Sequence, residues 1–113
     1  MEPSVYDLTY NDLNPRFLFC CNLLRTEPEM NYHCHDFIEF VLILKGKTTF
    51  RIDEKLYDVE EGSVILLNPG TYHQSLPAAG TSAREVYLAF SNVEFAGCTR
   101  GHFPLFKNYQ LLA

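Results

Sequence analysis

The sequence predicts an all-β domain with little or no helix, most simply a sandwich or a barrel. Short apolar segments succeed one another along the chain, and Gly, Pro and Asn residues separate them. Several segments alternate polar and apolar residues with the two-residue period of a strand, and none has the 3.6-residue period of an amphipathic helix. Because the chain has 113 residues, it has room for one compact domain.

The first predicted strands occupy residues 17–24, 32–46 and 47–53. Residues 17–24 are apolar and aromatic, and Pro28 follows them as a break. Within the second strand, residues 40–44 are continuously apolar, which predicts a segment that is buried on both faces. The third strand alternates polar and apolar residues, so it is expected to turn one face to the core.

The remaining predicted strands are shorter and end at clear turn signals. Residues 53–55 predict a hairpin turn, although they lack the glycine that a tight two-residue turn prefers. Gly62 and the sequence Asn68-Pro69-Gly70 mark two further turns. The strands that these turns separate cover residues 56–60, 63–67, 72–76 and 84–90.

The two ends of the chain differ from this pattern. Residues 1–15 are polar with scattered apolar side chains and two prolines, which predicts an irregular arm. After Phe95 come a loop and a short apolar piece, and the chain stops at Leu111-Leu112-Ala113. Because a natural soluble terminus seldom exposes leucines, we expect the front part of a longer protein. The alternative is a C-terminal segment that docks on the barrel.

Charge and cysteine usage narrow the classes of function. Nine basic residues against 14 acidic ones give a formal charge of −5, and no basic cluster is present. Since DNA binding depends on neutralising phosphates, the chain itself is not expected to bind DNA. It has no apolar run long enough for a membrane span and no signal peptide, which indicates the cytoplasm. The four cysteines form no C-x-x-C pair, which favours reduced thiols.

Four side chains form a candidate metal site. His33, His35 and Glu39 are separated by even steps, so a regular strand would point all three to one face and Cys34 to the other. His73 follows the Asn-Pro-Gly turn and can reach the same point inside a barrel. Three imidazoles and a carboxylate suit a divalent transition metal, and this mixed set does not distinguish among Zn, Ni, Fe and Mn. The alternative is a set of pocket or packing residues in a metal-free sensor.

The same residues carry a resemblance to a known superfamily. The spacing H-x-H-x-x-x-E-x-x-x-x-x-x-G, which ends at Gly46, resembles the first sequence motif of the cupins, and the stretch from Gly62 to His73 resembles the second. Pro69 departs from that second motif, because it stands one place late. Across residues 30–76 the sequence is similar to the ligand-sensing N-terminal domain of AraC-type transcription regulators, except that Glu54 replaces the hairpin glycine. We therefore expect a looser hairpin turn here.

The resemblance implies a cupin double-stranded β-helix, or jelly-roll barrel, in residues 16–96. Residues 1–15 would then be an N-terminal arm, and residues 97–113 a C-terminal segment leading to a linker and a DNA-binding region outside these residues. In AraC-type regulators the barrel binds a small effector, which is often a sugar. A helical linker supports dimerisation, and paired helix-turn-helix units bind DNA. The resemblance thus implies a small-molecule effector, contact with DNA only through that further region, and no membrane partner, and it leaves a homodimer open.

Two classes of function remain. The first is the effector-binding regulatory domain of a cytoplasmic transcription regulator, which is not an enzyme. The second is a small metal-dependent cupin enzyme, an isomerase or a dioxygenase, that uses the four candidate metal ligands. A regulator would continue into helices beyond Ala113, whereas an enzyme would be complete.

Because charged groups and aromatic faces commonly hold sugars, four further side chains are candidates for ligand binding: Arg51, Tyr57, Tyr72 and Tyr87.

Overall fold

The computed structural model describes residues 15–95, 97–105 and 107–112, so all of the predicted arm except Pro15 lies outside it. The regular elements within these ranges are strands: β1 (Arg16–Arg25), β2 (Ile38–Ile52), β3 (Lys55–Glu60), β4 (Val64–Leu67), β5 (His73–Ser75), β6 (Ala83–Ser91) and β7 (Tyr109–Leu112). The pairings between them are antiparallel. The part described contains no helix that is long and apolar enough to cross a membrane. The predicted all-β class is confirmed.

β2 belongs to both sheets of the barrel. Its first half, residues 38–46, pairs with β6 on one side and with β4 on the other. Its second half, residues 47–52, pairs with β3 and β5. β1 extends the first sheet beyond β6, and β7 extends it beyond β4, which gives the order β1-β6-β2-β4-β7. The two sheets therefore meet along β2.

Gly46 is the residue at which β2 passes from one sheet to the other. Its φ of +78° lies in the left-handed region, and the register between β2 and β6 shifts between Ile43 and Lys45. A Cβ atom at this position would overlap the backbone carbonyl oxygen of Ser82. The prediction that a strand ends at Gly46 is therefore wrong, because glycine lets the chain change direction within a continuous strand.

The core lies between the two sheets, and alternate residues of the strands fill it. The completely buried apolar side chains of β2 and β4 are Ile38, Val41, Ile43, Phe50, Ile52 and Ile65. The prediction that residues 40–44 are buried on both faces is wrong, since Leu44 is 44% exposed while Val41 and Ile43 are inaccessible. The outer face of this segment is therefore open to solvent at one end.

The segment that precedes β2 is not a regular strand, although the sequence predicts a strand from Tyr32. β2 begins only at Ile38, after two bent residues. Before the bend, His33 forms an isolated antiparallel bridge with His73. The alignment of His33 and His35 therefore does not come from their spacing along one regular strand. The bridge to β5 sets their position.

The hairpin between β2 and β3 is a tight two-residue turn, and the expectation of a looser turn is wrong. Asp53 and Glu54 form it, with φ values of 49° and 69°, and Ile52 pairs directly with Lys55. Two consecutive positive φ values are typical of a type I′ turn, in which glycine is usually preferred. The Tyr32 hydroxyl accepts a hydrogen bond of 2.9 Å from the Glu54 backbone N–H, which supports this conformation.

Beyond β6 the chain folds back over the first sheet and reaches β7. Phe103 packs against Phe40, Phe90 and Phe95, with ring centroids between 5.2 and 5.6 Å apart. β7 then pairs with β4 over four residues. The sequence pattern did not predict this strand, although it left a docked C-terminal segment open. The domain boundary at residue 96 stays a prediction.

Candidate functional site

Three histidines from two distant segments meet in the folded chain. His33 and His35 precede β2, and His73 begins β5. One ring nitrogen from each lies within 4.8 Å of the others, and the ring centroids of His33 and His73 are 4.4 Å apart. The two backbone hydrogen bonds of the bridge, 3.1 and 2.8 Å long, hold His33 beside His73. This group can form a metal site.

The imidazoles of His33 and His73 are oriented by backbone carbonyl groups. Nδ1 of His33 lies 2.8 Å from the carbonyl oxygen of Asn31, and Nδ1 of His73 lies 2.8 Å from that of Thr71. A neutral imidazole must carry its proton on the nitrogen that faces a carbonyl oxygen, which leaves the Nε2 lone pair free. Metal-binding histidines are commonly fixed in this way.

His35 is held by its ring and by its backbone. The ring stacks on Phe37 with centroids 4.5 Å apart and planes 9° from parallel. Its carbonyl oxygen accepts a hydrogen bond of 2.8 Å from the Gly70 N–H, and Gly70 has a φ of +81°. The Asn-Pro-Gly turn therefore leads the chain into His73 and also fixes His35. The unusual place of Pro69 does not disturb this arrangement.

Glu39, the fourth predicted ligand, lies inside the barrel beside the histidines and is only 3% exposed. Its Oε1 atom is 3.1 Å from Nε2 of His73, and its Oε2 atom is 3.8 Å from Nε2 of His35. Within the described residues, neither Glu39 Oε1 nor His73 Nε2 has a well-aligned hydrogen bond, and both atoms are buried. Such a pair costs free energy, and a cation bound by both atoms would remove that cost. The three histidines form the group whose donor atoms are mutually close enough to hold a divalent transition metal, and Glu39 lies beside this group without belonging to it.

The environment shifts two of the imidazoles in opposite directions. Burial lowers the pKa of His35, and the neighbouring His73 and His33 lower it further, against the attraction of Glu39. Burial also disfavours a charged His73, but the Glu39 carboxylate and the Thr71 carbonyl outweigh this effect and raise its pKa. A proton therefore competes with a metal more strongly at His73 than at His35.

Cys34 lies within the first motif but outside the group of three histidines. Its thiol lies beside the Tyr72 hydroxyl and raises the pKa of that hydroxyl. Tyr72 is 51% exposed and packs on Tyr32, with ring centroids 5.4 Å apart. Cys34 thus interacts with Tyr72, the neighbour of His73, and not with the group of three histidines.

The four candidate ligand-binding side chains lie in three places. The Arg51 guanidinium stacks over the Tyr32 ring at 4.0 Å, on the surface that also carries Tyr72. The Tyr57 hydroxyl lies 2.6 Å from that of Tyr109, between β3 and β7. Tyr87 is almost completely buried. The four side chains therefore do not act as one group, and only Tyr57 and Tyr87 pack against the core.

Tyr87 belongs to a buried polar cluster that sequence reasoning missed. The inaccessible carboxylate of Glu85 accepts hydrogen bonds from Arg25 Nε at 3.1 Å, the Tyr87 hydroxyl at 2.8 Å and Ser75 Oγ at 2.7 Å. Burial, followed by the charge of Glu85, raises the pKa of Tyr87, so its hydroxyl keeps the proton that it donates. One signal was present in the sequence: Glu85 shares a strand face with Tyr87, and a carboxylate on a core face needs partners.

A cavity of about 460 Å³ opens beside the second half of β2, at the end away from His73. Its polar wall includes Lys47, Thr48, Asp58 and Glu60. Thr48 is 5% exposed, and its hydroxyl lies 3.0 Å from that of Ser75 in the buried polar cluster. The cavity therefore adjoins the cluster, and its volume is in the range of small-molecule pockets.

Comparison with known families decides what this barrel is. The sequence model of the AraC-like ligand binding domain matches residues 19–109. The chain belongs to this family. Membership confirms the predicted ligand-sensing domain of an AraC-type regulator, and with it a ligand-binding regulatory function.

The AraC-like ligand binding domain described here also has a curated relative. It is 39% identical over 59 residues to YdeC, an uncharacterized HTH-type transcriptional regulator of Bacillus subtilis. The match covers 52% of this chain and 20% of YdeC. The chain therefore spans about a fifth of that relative's length.

Solved structures share the fold of this AraC-like domain. ToxT from Vibrio cholerae, in a structure with an unsaturated fatty acid bound, has a TM-score of 0.60 and 17% identity, over 88% of this chain and 42% of ToxT. A cupin protein from Bacteroides fragilis has a TM-score of 0.54 and 21% identity, over 74% of this chain and 69% of that one. At such identities the likeness concerns the fold alone, and it confirms the predicted cupin jelly-roll barrel.

Proposed function

We propose that this chain is the effector-sensing part of a cytoplasmic transcription regulator whose barrel holds a divalent transition metal on His33, His35, Glu39 and His73. The observation that carries the metal proposal is the buried pair of Glu39 Oε1 and His73 Nε2, which lie 3.1 Å apart without an aligned hydrogen bond. His33 and His35 place two more nitrogen donors within 4.8 Å of His73. Glu39 Oε1 and His73 Nε2 attract each other only while His73 is protonated, and a metal would take the place of that proton.

The donor set suits Zn, Ni, Fe or Mn, because neutral imidazoles and one carboxylate bind each of these ions. A bound ion would supply Lewis-acid chemistry at the His73 end of the barrel, away from the cavity beside the second half of β2. The chain's own residues fix the site: Asn31 and Thr71 hold the tautomers of two histidines, and Gly70 anchors the backbone of His35.

We propose that the effector is a small polar metabolite, with sugars the first class to test. The cavity of about 460 Å³ is large enough for a monosaccharide, and its wall offers the Thr48 hydroxyl, the Lys47 ammonium and two carboxylates. Behind Thr48, the Ser75 hydroxyl connects the cavity wall to the buried Glu85 and Tyr87 through hydrogen bonds. Of the four candidates from the sequence, Tyr87 is favoured because it is linked to this wall, whereas Arg51 and Tyr72 lie on the outer surface.

DNA binding, in this proposal, belongs to a part of the regulator outside these residues. The formal charge of −5 and the lack of a basic cluster in the sequence agree with that division. We also propose that the intact regulator is a homodimer. Analytical ultracentrifugation of this chain and of the intact regulator would test the oligomeric state.

Elemental analysis tests the metal. Protein purified without a nickel column is expected to contain about one equivalent of a transition metal per chain, and His35→Ala and His73→Ala are expected to lose it. His102→Ala is the matched control, since His102 contacts only the Arg100 backbone among the described contacts of its ring. Metal content that is well below one equivalent and insensitive to His35→Ala would contradict the proposal.

A thermal-shift screen of sugars and organic acids tests the effector. A true effector should raise the melting temperature with the logarithm of its concentration once that concentration exceeds its dissociation constant. Tyr87→Phe should weaken that shift, whereas Tyr72→Phe should preserve it. Failure of every metabolite to raise the melting temperature would contradict effector binding. Chemical conversion of a stabilising metabolite would identify the chain as a metal-dependent cupin enzyme instead.

A further inference from the structure

The connection between β1 and β2, residues 26–37, carries two of the three histidines and is not itself a strand. It therefore needs fixed points of attachment if the imidazoles are to keep their positions. One attachment is the bridge between His33 and His73. The other lies four residues earlier, at Glu29, and involves both its backbone and its side chain.

Glu29 makes three hydrogen bonds to β5. Its backbone N–H donates to the Ser75 carbonyl oxygen at 2.9 Å, and its Oε1 atom accepts from the Ser75 N–H at 2.7 Å. Its carbonyl oxygen accepts from Nε2 of Gln74 at 2.8 Å. The Glu29 carboxylate thus accepts the hydrogen bond from the Ser75 N–H, a group that another strand could otherwise use to pair with β5. It therefore blocks further strand pairing at this edge of β5, next to His73.

The same carboxylate joins the histidine segment to the buried polar cluster. Glu29 Oε2 lies 3.5 Å from Nη2 of Arg25, and Arg25 Nε donates to Glu85 at 3.1 Å. Glu85 in turn accepts from the hydroxyl of Ser75, the residue whose N–H binds Glu29. Arg25 therefore holds two carboxylates, one in the core and one in the connecting segment.

Between its two attachments the first two residues are exposed, whereas Tyr32 packs on the outer surface and its hydroxyl bonds to the hairpin turn. Met30 is 94% exposed, and Asn31 is exposed as well, although its carbonyl oxygen orients the His33 ring. Loss of the Glu29 carboxylate would loosen the attachment of Met30 and Asn31, and with them the carbonyl group that sets the His33 tautomer. The backbone hydrogen bonds of Glu29, the contacts of Tyr32 and the bridge would remain to hold His33.

We propose that Glu29 is a positioning residue for the metal site, acting through His33, and that it couples this site to the Arg25–Glu85 cluster. The inference rests on the metal binding proposed above. It adds a residue that makes no described hydrogen bond to the three histidines, although its charge acts on His35 and His73, and that stands outside both sequence motifs. A ligand that draws Arg25 or Glu85 towards itself would change the hold on Glu29 and so the affinity for metal.

The test measures zinc affinity by competition with a chromophoric chelator. Glu29→Ala is expected to weaken zinc binding on the order of 10- to 100-fold, the usual cost of losing a group that orients a ligand. Glu27→Ala is the matched control, since Glu27 is an exposed carboxylate in the same segment, and it should leave the affinity unchanged. Glu29→Gln keeps an acceptor for the Ser75 N–H and should recover most of the affinity. Equal affinity in wild type and Glu29→Ala would overturn the inference.

A double-mutant cycle separates positioning from a general loss of stability. If Glu29 acts through His33, Glu29→Ala should have little further effect on zinc affinity in a His33→Ala background. A full additive loss in that background would overturn the proposed route. In metal-free protein, amide exchange at His73 should accelerate in Glu29→Ala and not in Glu27→Ala, because the His73 N–H is bonded to His33. The two measurements separate the two proposals. A wild-type chain that does not bind zinc would reject the metal site, and an unchanged rate of amide exchange at His73 in Glu29→Ala would reject the role of Glu29.

Discussion

His33 and His73 are bonded to each other through their backbones: each N–H donates to the carbonyl oxygen of the other, at 3.1 and 2.8 Å. Forty positions separate the two residues in the sequence, yet this pair of hydrogen bonds sets their rings 4.4 Å apart. Both rings also have a backbone carbonyl oxygen at Nδ1. The Nε2 atoms are therefore placed by the fold before any ion binds.

The first prediction concerns the pH dependence of metal binding. Since Glu39 and Thr71 raise the pKa of His73 above its ordinary value of 6.5, protons should compete with the metal already near neutral pH. The zinc affinity should fall as pH decreases through this range, and the lowered pKa of His35 should add no loss until lower pH. Titrations of zinc at several pH values would check this. An affinity that is constant down to about pH 5 would contradict it.

Gly46→Ala should destabilise the domain by more than about 2 kcal/mol. A left-handed φ costs an alanine about 1 to 2 kcal/mol, and at Gly46 the methyl group would in addition displace the Ser82 backbone. Gly80→Ala is the matched control, because Gly80 has a φ of 80° with open space around it. Urea unfolding of both variants measures the difference. Equal losses would show that the close approach to Ser82 carries no cost.

Glu54→Gly should stabilise the domain by about 1 kcal/mol. The substitution relieves the left-handed conformation at φ 69° and keeps the backbone N–H that bonds to Tyr32. It loses only the exposed ion pair with Arg51, which contributes little. Lys55→Gly, one residue later and within β3, should have the opposite sign. Thermal unfolding measures the change in stability of both variants, and a lower melting temperature for Glu54→Gly than for wild type would contradict the prediction.

Arg25→Ala should destabilise the domain by about 3 kcal/mol or more, because it leaves the buried Glu85 carboxylate without its cation. Arg84→Ala removes an arginine from the neighbouring strand, where the guanidinium bonds only to exposed Asn22 among its described partners. That control should cost less than about 1 kcal/mol. Chemical denaturation measures both values. Similar losses for the two arginines would contradict the special role of the buried pair.

The Tyr57–Tyr109 contact predicts a loss of stability at high pH. The hydrogen bond from Tyr57, together with burial, raises the pKa of Tyr109 to about 12. The unfolded chain releases this proton near pH 10 and the folded chain does not, so the free energy of unfolding should fall as pH rises from about 10 to 12. Tyr109→Phe should flatten this decline, and unfolding curves across the range would measure it.

The fold and the candidate metal ligands were accessible from sequence because their signals are local. Ligand-type residues at cupin spacing, glycines at turns and two-residue alternation are each visible within a short window. The Arg25–Glu85 pair was not accessible in this way, since the partner of a buried charge lies 60 residues away. Nor was β7, whose four residues form a strand because β4 offers an edge. The strand predicted from Tyr32 failed for a related reason: the bridge to His73 competes with regular pairing.

The strand order has a consequence for how the chain folds. Among the described strands β1 pairs only with β6, and β2 also needs β6 to complete its first half. A chain emerging from the ribosome must therefore keep Phe17, Leu18 and Leu24 of β1 unpaired until residue 91 is available. Such distant pairings are slow to form, and an exposed apolar edge is prone to join another chain meanwhile. Fragments that end before β6 are expected to aggregate, because the first strand must wait for the sixth.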